Sequence, residues 1–544
     1  MRKLITKKRS AIATGAVLFL ALSCKNPFFP HDSFKGDGGS AGGAQIIPLS
    51  MAPPEMYVWA RSITKSNSHY SQAYFKSAAV DPAGSVFAAG YQYGGSITFD
   101  SHTVSGYKYI NPVLVKFDAT GQAKWATTFT AFTADRFDQG QYMSVAADGG
   151  GNCYASGSQT GNGIWEYGNG ITSILGDCVA APVLIKYDAN GNTKWASATS
   201  ACPDYAEFRS IAVAPDGKSI YAVGCQRGDG AYDYGDGTNP AVRICGSLGE
   251  FGTSPILVKY NDNGIAQWVL SSSAGSSSRL NSMAVDEAGN IYVVGEQYGG
   301  WTNYTSLSGP DITLVNSNGG YTNPVLIKYS KDGNVLWART VEDGPGDGHV
   351  VFSLVTVDRD GGVYVAGNQR DPAKHTYGDN VAIQGDGPYF NPILIKYDAD
   401  GNALWGKIPY EGPGTGVFES VAAAPGGGFF VAGYQNGSLE YNYGNGVTLL
   451  GASSGSSPAL IKYDADGNAQ WAKTTTGGPS DGTSIYNAVA VGGNGFLYAA
   501  GIQVDSYPYP SPSYSYGELG DPQTTIQGPL ESWYNPVIVK YRIP

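Results

Sequence analysis

Residues Asn323–Ala338 read NPVLIKYSKDGNVLWA. The phrase opens beside a proline, runs through short apolar residues, turns at Asp332-Gly333-Asn334 and closes on Trp337. Strand, Asx-Gly turn, strand is the pattern of a β-hairpin. Pro324 heads the first strand, the place where a missing N–H matters least. The phrase returns as Asn111–Ala126, Ala181–Ala196, Ser254–Val269, Asn391–Gly406 and Ser457–Ala472. The spacing is roughly 70 residues, and a period of that size dictates a repeat architecture. A seventh copy, NPVIVKYRIP, starts at Asn535 and stops before its tryptophan. Its missing half lies at the other end, in Tyr57-Val58-Trp59-Ala60. The tryptophan series is Trp59, Trp125, Trp195, Trp268, Trp337, Trp405 and Trp471.

A second phrase lies between these copies, as in AVDPAGSVFAAGYQ from Ala79 and AVDEAGNIYVVGEQ from Ala284. It too reads as two short strands about a glycine-bearing turn. Four strands per repeat and seven repeats predict an all-β fold, a seven-bladed β-propeller with four antiparallel strands per blade. The strands are lettered A to D in chain order within a repeat. The chain enters on a D strand and leaves on a C strand. The expectation is therefore that the N-terminal strand completes the last blade and covers two otherwise free sheet edges. A–B and C–D connections are tight turns on one face. B–C and D–A connections are long and share the opposite face, where function is expected.

The VDxxGNIYVVG hairpin, the YGNGVTLLG segment and the KYDADGNAQWA phrase resemble the bacterial SBBP family of seven-bladed propeller repeats, over roughly residues 55–544. Asn, Ser or Ala precedes the strand C proline here, where that family often has an acidic residue. The resemblance implies an exported scaffold without an assigned chemistry.

The first residues predict export. Arg2, Lys3, Lys7, Lys8 and Arg9 precede an uncharged, mostly apolar run from Ala11 to Leu22, too short to span a bilayer as a stable helix. Leu20-Ala21-Leu22-Ser23-Cys24 resembles a shifted lipobox, which would make 1–23 a lipoprotein signal peptide and Cys24 the lipidated residue. The alternative is an ordinary signal peptide followed by an incidental cysteine. Residues 24–54, rich in Gly, Ser and Pro, read as a flexible tether, and 55–544 as the propeller. The expected location is the bacterial cell envelope, at the outer membrane or cell surface, with the membrane reached through the lipid. The propeller itself is expected to be monomeric.

The formal net charge is −11. No run of Lys and Arg is dense enough for nucleic acid, so none is expected as partner. Six cysteines include Cys24; Cys153, Cys178, Cys202, Cys225 and Cys245 remain, an odd number in a disulfide-permissive compartment. Pairing as 178–202 and 225–245 with Cys153 free is the arrangement to test.

Three repeated sets are candidate sites. Strand C carries Lys116, Lys186, Lys259, Lys328, Lys396, Lys462 and Lys540, either an anion ring or stems packed along each blade. After strand B comes Gly-x-Gln, with Gln92, Gln159, Gln226, Gln297, Gln369, Gln435 and Gln503. These glutamines either satisfy loop backbone groups or contact ligand. Aromatics follow in the B–C loops, among them Tyr93, Tyr167, Tyr234, Tyr304, Tyr377, Tyr443 and Tyr516, a composition suited to protein or sugar. Repetition in every blade favours packing, since a ligand site on a ring has to break the symmetry. The tryptophans are read as structural.

Catalysis, cofactor and metal have little support. Five histidines form no HExxH arrangement, no GxSxG elbow occurs in context, and DADGN turns lack the length and terminal Glu of a calcium loop. The Trp phrase also resembles quinone-binding propellers, which generally have eight blades, and no quinone is inferred. The leading expectation is a binding scaffold for protein or glycan. An envelope assembly factor and a glycan lyase or hydrolase with an acid pair are the alternatives.

Overall fold

A computed structural model describes residues 57–544 except 68–70, 107–108, 132–138, 162–163, 175–177, 200, 236–238, 240–241, 246–251, 316–321, 345–348, 371, 386–389, 410–414, 505–512, 518–521 and 528–533. The signal segment, Cys24 and the whole tether lie outside the described residues. Pro53–Pro544 is one compact unit.

Valine, isoleucine and aromatic residues at alternate positions make strands, and short Asx-Gly turns bring each strand back beside the last. The result is seven four-stranded antiparallel sheets among the described residues. In the first, strands A to D are Gln72–Val80, Val86–Tyr93, Ile110–Phe117 and Ala123–Thr127. The seventh is built from Thr483–Val491, Phe496–Val504, Tyr534–Arg542 and, as its D strand, Tyr57–Arg61. Trp59 stands opposite Lys540 and Arg61 opposite Ile538. Each A strand packs against the A strand of the next sheet, and the seventh packs against the first. The A strands therefore surround a central axis, which defines a β-propeller.

What holds neighbouring sheets together is a repeated clamp. The Trp125 indole N–H donates to the Ala189 carbonyl in the C–D turn of the next sheet, 3.1 Å away. The Lys116 ammonium reaches the same carbonyl at 3.4 Å and crosses the Phe87 ring at 4.8 Å. Trp195 with Lys186 share Asp262, Trp337 with Lys328 share Ala399, and Trp405 with Lys396 share Ala465. Trp59 and Lys540, from the two ends of the chain, share Ala119 in the first sheet. The lysines are thus packed stems with bonded heads rather than an open anion ring.

The turn beneath six of the seven indoles must be glycine. Gly401 has φ +81°, and a Cβ there would lie 2.8 Å from the Trp337 ring. Both the left-handed backbone and the close approach exclude a side chain.

The inner edge is closed by hydroxyls. Ser77 Oγ accepts the Val145 N–H of the next sheet, and Ser144, Ser282 and Ser420 do the same for Ile211, Val355 and Val489. Every A strand also carries a bulge, where one residue lacks a partner on strand B. The bulged residues are Lys76, Met143, Arg209, Asn281, Ser353, Glu419 and Asn487.

The long B–C connections are themselves ordered. Each holds a small hairpin, such as Ser96–Phe99 with His102–Ser105 and Ile164–Glu166 with Thr172–Ile174. Preceding D–A loops add to several of them, as Lys65–Ser66 does to the first.

Candidate functional site

The repeated glutamines and tyrosines form a buried girdle under the long-loop face. All seven glutamines are fully buried. The Tyr167 hydroxyl donates to Gln159 Oε1 at 2.7 Å, and Tyr234, Tyr304, Tyr377, Tyr443 and Tyr516 donate likewise to Gln226, Gln297, Gln369, Gln435 and Gln503. Gln435 Nε2 donates to the Leu439 and Leu449 carbonyls, and Gln369 Nε2 to Ala373. These pairs pin each inserted hairpin to its own sheet. A ligand surface of Tyr167, Tyr234, Tyr304, Tyr377, Tyr443 and Tyr516 is therefore corrected: their rings face inward, where apolar area is removed from water. Tyr93 alone of the seven candidates is well exposed, at 37%.

Burial also corrects one disulfide. Cys178 and Cys202 are bonded, whereas Cys225 is buried on strand B and Cys245 is exposed on a hairpin, both free. Cys153 is free and buried.

The residues that do vary lie between the invariant ones. The middle of Gly-x-Gln is Tyr91, Ser158, Cys225, Glu296, Asn368, Tyr434 and Ile502. Opposite these on strand A stand Tyr74, Gln141, Glu207, Arg279, Val351, Val417 and Ile485. Because side chains alternate along a strand, an inward Gln forces x onto the other face. With the bulged residues, these pairs form a variable layer at the long-loop end of the ring, several of them buried where one sheet meets the next.

That layer is two-sided. On the third and fourth sheets it is ionic. Arg209 Nε pairs with Glu207 Oε1 at 2.6 Å, and Arg209 Nη1 donates to Asn281 Oδ1 at 2.8 Å. Arg279 pairs with Glu296 and donates to the Tyr298 hydroxyl at 2.7 Å. Glu207 holds the Arg209 guanidinium above its ordinary pKa against the opposing effect of burial. His349, on the next sheet, is lowered by burial, with Glu296 acting the other way. On the sixth, seventh and first sheets the paired residues are apolar and aromatic, Val417, Tyr434, Ile485, Ile502, Tyr74 and Tyr91, with Glu419, Asn487 and Lys76 at the bulges. Tyr74 lies between Tyr91, 4.7 Å away and nearly parallel, and Tyr534 at 5.2 Å. Burial pushes Tyr91 up to about 12, helped by the neighbouring phenols. These phenols are neutral hydrogen-bonding groups at physiological pH.

The opposite end of the channel is different. A cavity of about 630 Å³ is lined there by A–B turns, including Asp286, Glu287, Asp358, Arg359, Asp360 and Gly426. Asp286 and Asp358 spend their oxygens capping their own turns. No cluster of three metal-ligating side chains occurs among the described residues.

The sheets and their cyclic contacts make this a β-propeller repeat protein. No family model matches the chain. An uncharacterized WD repeat-containing protein, L264 of Acanthamoeba polyphaga mimivirus, is 26% identical over 435 residues, covering 68% of this chain and 30% of that protein. The chain thus spans about a third of the length of the curated relative it matches. Among solved structures, U3-55K aligns at a TM-score of 0.42 with 7% identity, over 89% of this chain and 99% of that one. The WD40 repeats of RRP9 align at 0.41 with 8% identity, over 90% and 99%. Hydrazine synthase of Kuenenia stuttgartiensis aligns at 0.35 with 11% identity, over 80% and 94%.

Proposed function

We propose that this chain is an exported, lipid-anchored binding scaffold, a seven-bladed propeller of SBBP-like repeats closed by its own N-terminal strand, which receives a protein ligand at the long-loop mouth of its channel. The observation that carries the reading is the asymmetry of that mouth. The scaffold repeats its Trp, Lys, Gln and Ser contacts from sheet to sheet, while the pairs at the long-loop end change from ionic to aromatic around the ring. Packing has to repeat; recognition of one ligand has to differ from sheet to sheet. Tyr and Arg together are the side chains that dominate protein interfaces. Lipidation at Cys24 and placement at the cell envelope are supported by the basic, apolar, lipobox-like start of the chain.

The test is affinity capture of envelope proteins on the immobilised protein. Tyr91→Ala and Ile502→Asp at the mouth should abolish capture that Asp360→Ala, at the far end of the channel, leaves intact. Equal loss in all three, or in none, would place the ligand elsewhere. Capture of outer-membrane barrel-assembly components would turn the reading toward an assembly factor.

A further inference from the structure

We propose that Glu419, in the channel wall of the sixth sheet, is the counter-charge for a lysine or arginine side chain that a protein partner inserts from the long-loop side. The proposal rests on the binding reading above and adds the chemistry of the group received.

Glu419 occupies the bulge position of its A strand. At that position three of the other sheets reach around the ring to their neighbour. Asn281 donates to the Phe352 carbonyl at 3.2 Å, Asn487 to the Phe75 carbonyl at 2.7 Å, and Arg209 to Asn281. An ionised carboxylate has no proton to donate, so Glu419 cannot make the equivalent bond to a backbone carbonyl of the seventh sheet. Among the described residues it has neither a hydrogen bond nor an ion pair within 4 Å. The carboxylates on the ionic side, Glu207 and Glu296, each hold an arginine already. Glu419 is left open to solvent in the channel.

Its surroundings suit the stem of a long cationic side chain. Val417 precedes it by two residues on the same strand, and Ile485 holds the matching place on the seventh. Tyr434, on strand B of the same sheet, is close enough for the carboxylate to raise its phenol further above the ordinary value. An alkyl stem can cover such apolar surface while its charged head reaches the carboxylate, and phenol rings attract a cation. Burial by the channel walls raises the Glu419 carboxyl, while Lys76 of the first sheet draws it down. Lys76 is therefore both a rival and a source of repulsion for an incoming cation.

The experiment uses the full chain and two fluorescein-labelled peptides, one carrying a lysine between two leucines and the other norleucine in its place. Anisotropy is read at about 0.15 M salt, which screens the diffuse pull of an acidic protein. The lysine peptide should bind at least about fivefold more tightly. Glu419→Gln should erase that preference and Lys76→Met should widen it, while Glu287→Gln at the far end changes neither. Lowering the pH toward about 5 should weaken the lysine peptide alone, because the cation needs the ionised carboxylate. Glu419→Gln should also melt no lower than the parent, since an amide can donate to the next sheet as Asn487 does. Equal binding of the two peptides overturns the proposal. A raised melting temperature with the lysine preference intact also overturns it, and assigns Glu419 a packing role. If Tyr91→Ala still abolishes partner capture while Glu419→Gln does not, the binding reading stands and this inference alone falls.

Discussion

Gln92 differs from its six counterparts. It is fully buried, and neither its amide nitrogen nor its oxygen has a partner among the described residues. The cause is Phe99, which packs on Phe75 where Tyr234 packs on Phe208 and Tyr377 on Phe352. A phenyl ring fills the space without supplying the hydroxyl. Phe99→Tyr should restore the bond and raise stability by about 0.5–1.5 kcal/mol in urea unfolding. Trp125→Ala should cost about 3–5 kcal/mol on the same assay, because it empties an inter-sheet site and leaves the Ala189 carbonyl with less. At this scale the glutamines were half legible. Their repetition pointed to packing, and the alternation of a strand then places the variable residue of Gly-x-Gln on the opposite face. The bulge that brings Arg209, Asn281 and Glu419 into the channel has no sequence signal of its own, since it is a mismatch between two strands rather than a property of one.

Among elements, the sixth sheet's strand C shows what the clamp contributes. Its six counterparts in the other sheets bond the C–D turn of the following sheet through their lysine, together with a Trp in five of them among the described residues. The seventh sheet has no such turn, because its C and D strands come from opposite ends of the chain. Lys462 bonds Gly427 in its own sheet instead, and burial lowers it to about 8. Its folded pKa lies below that of an unfolded lysine. Between about 8 and 10.5 the unfolded chain therefore holds a proton that the folded chain has released, and this group's contribution makes stability rise with pH across that window. Lys462→Met should flatten that rise when urea unfolding is compared at pH about 7.5 and 10. The inserted hairpins belong to this scale too. Long B–C connections were evident from the spacing, but their pairing with the D–A loops needs two segments about 30 residues apart to meet, as Lys65 meets Thr98.

For the molecule as a whole, the strand Tyr57–Arg61 closes the seventh sheet and delivers Trp59 to the first. Removing residues up to Arg61 should lower the melting temperature by about 5 °C or more and promote association, because it bares the edge of Tyr534–Arg542. Unchanged melting and a monomeric elution volume would contradict that role. The sequence by itself determined the repeat, the four strands per unit, and the split of one sheet between the chain ends, because turns and alternation are local and a period can be counted. It also raised the expectation that function lies on the long-loop face. Only the tertiary structure decided which residues that face presents. Whether a tyrosine is a contact or a core residue depends on what folds over it, and the inserted hairpins turn Tyr167, Tyr234, Tyr304, Tyr377, Tyr443 and Tyr516 inward onto their glutamines. The ionic and aromatic sides of the channel mouth are assembled from sheets far apart in sequence, and closing the ring is the physical step that brings them around one axis.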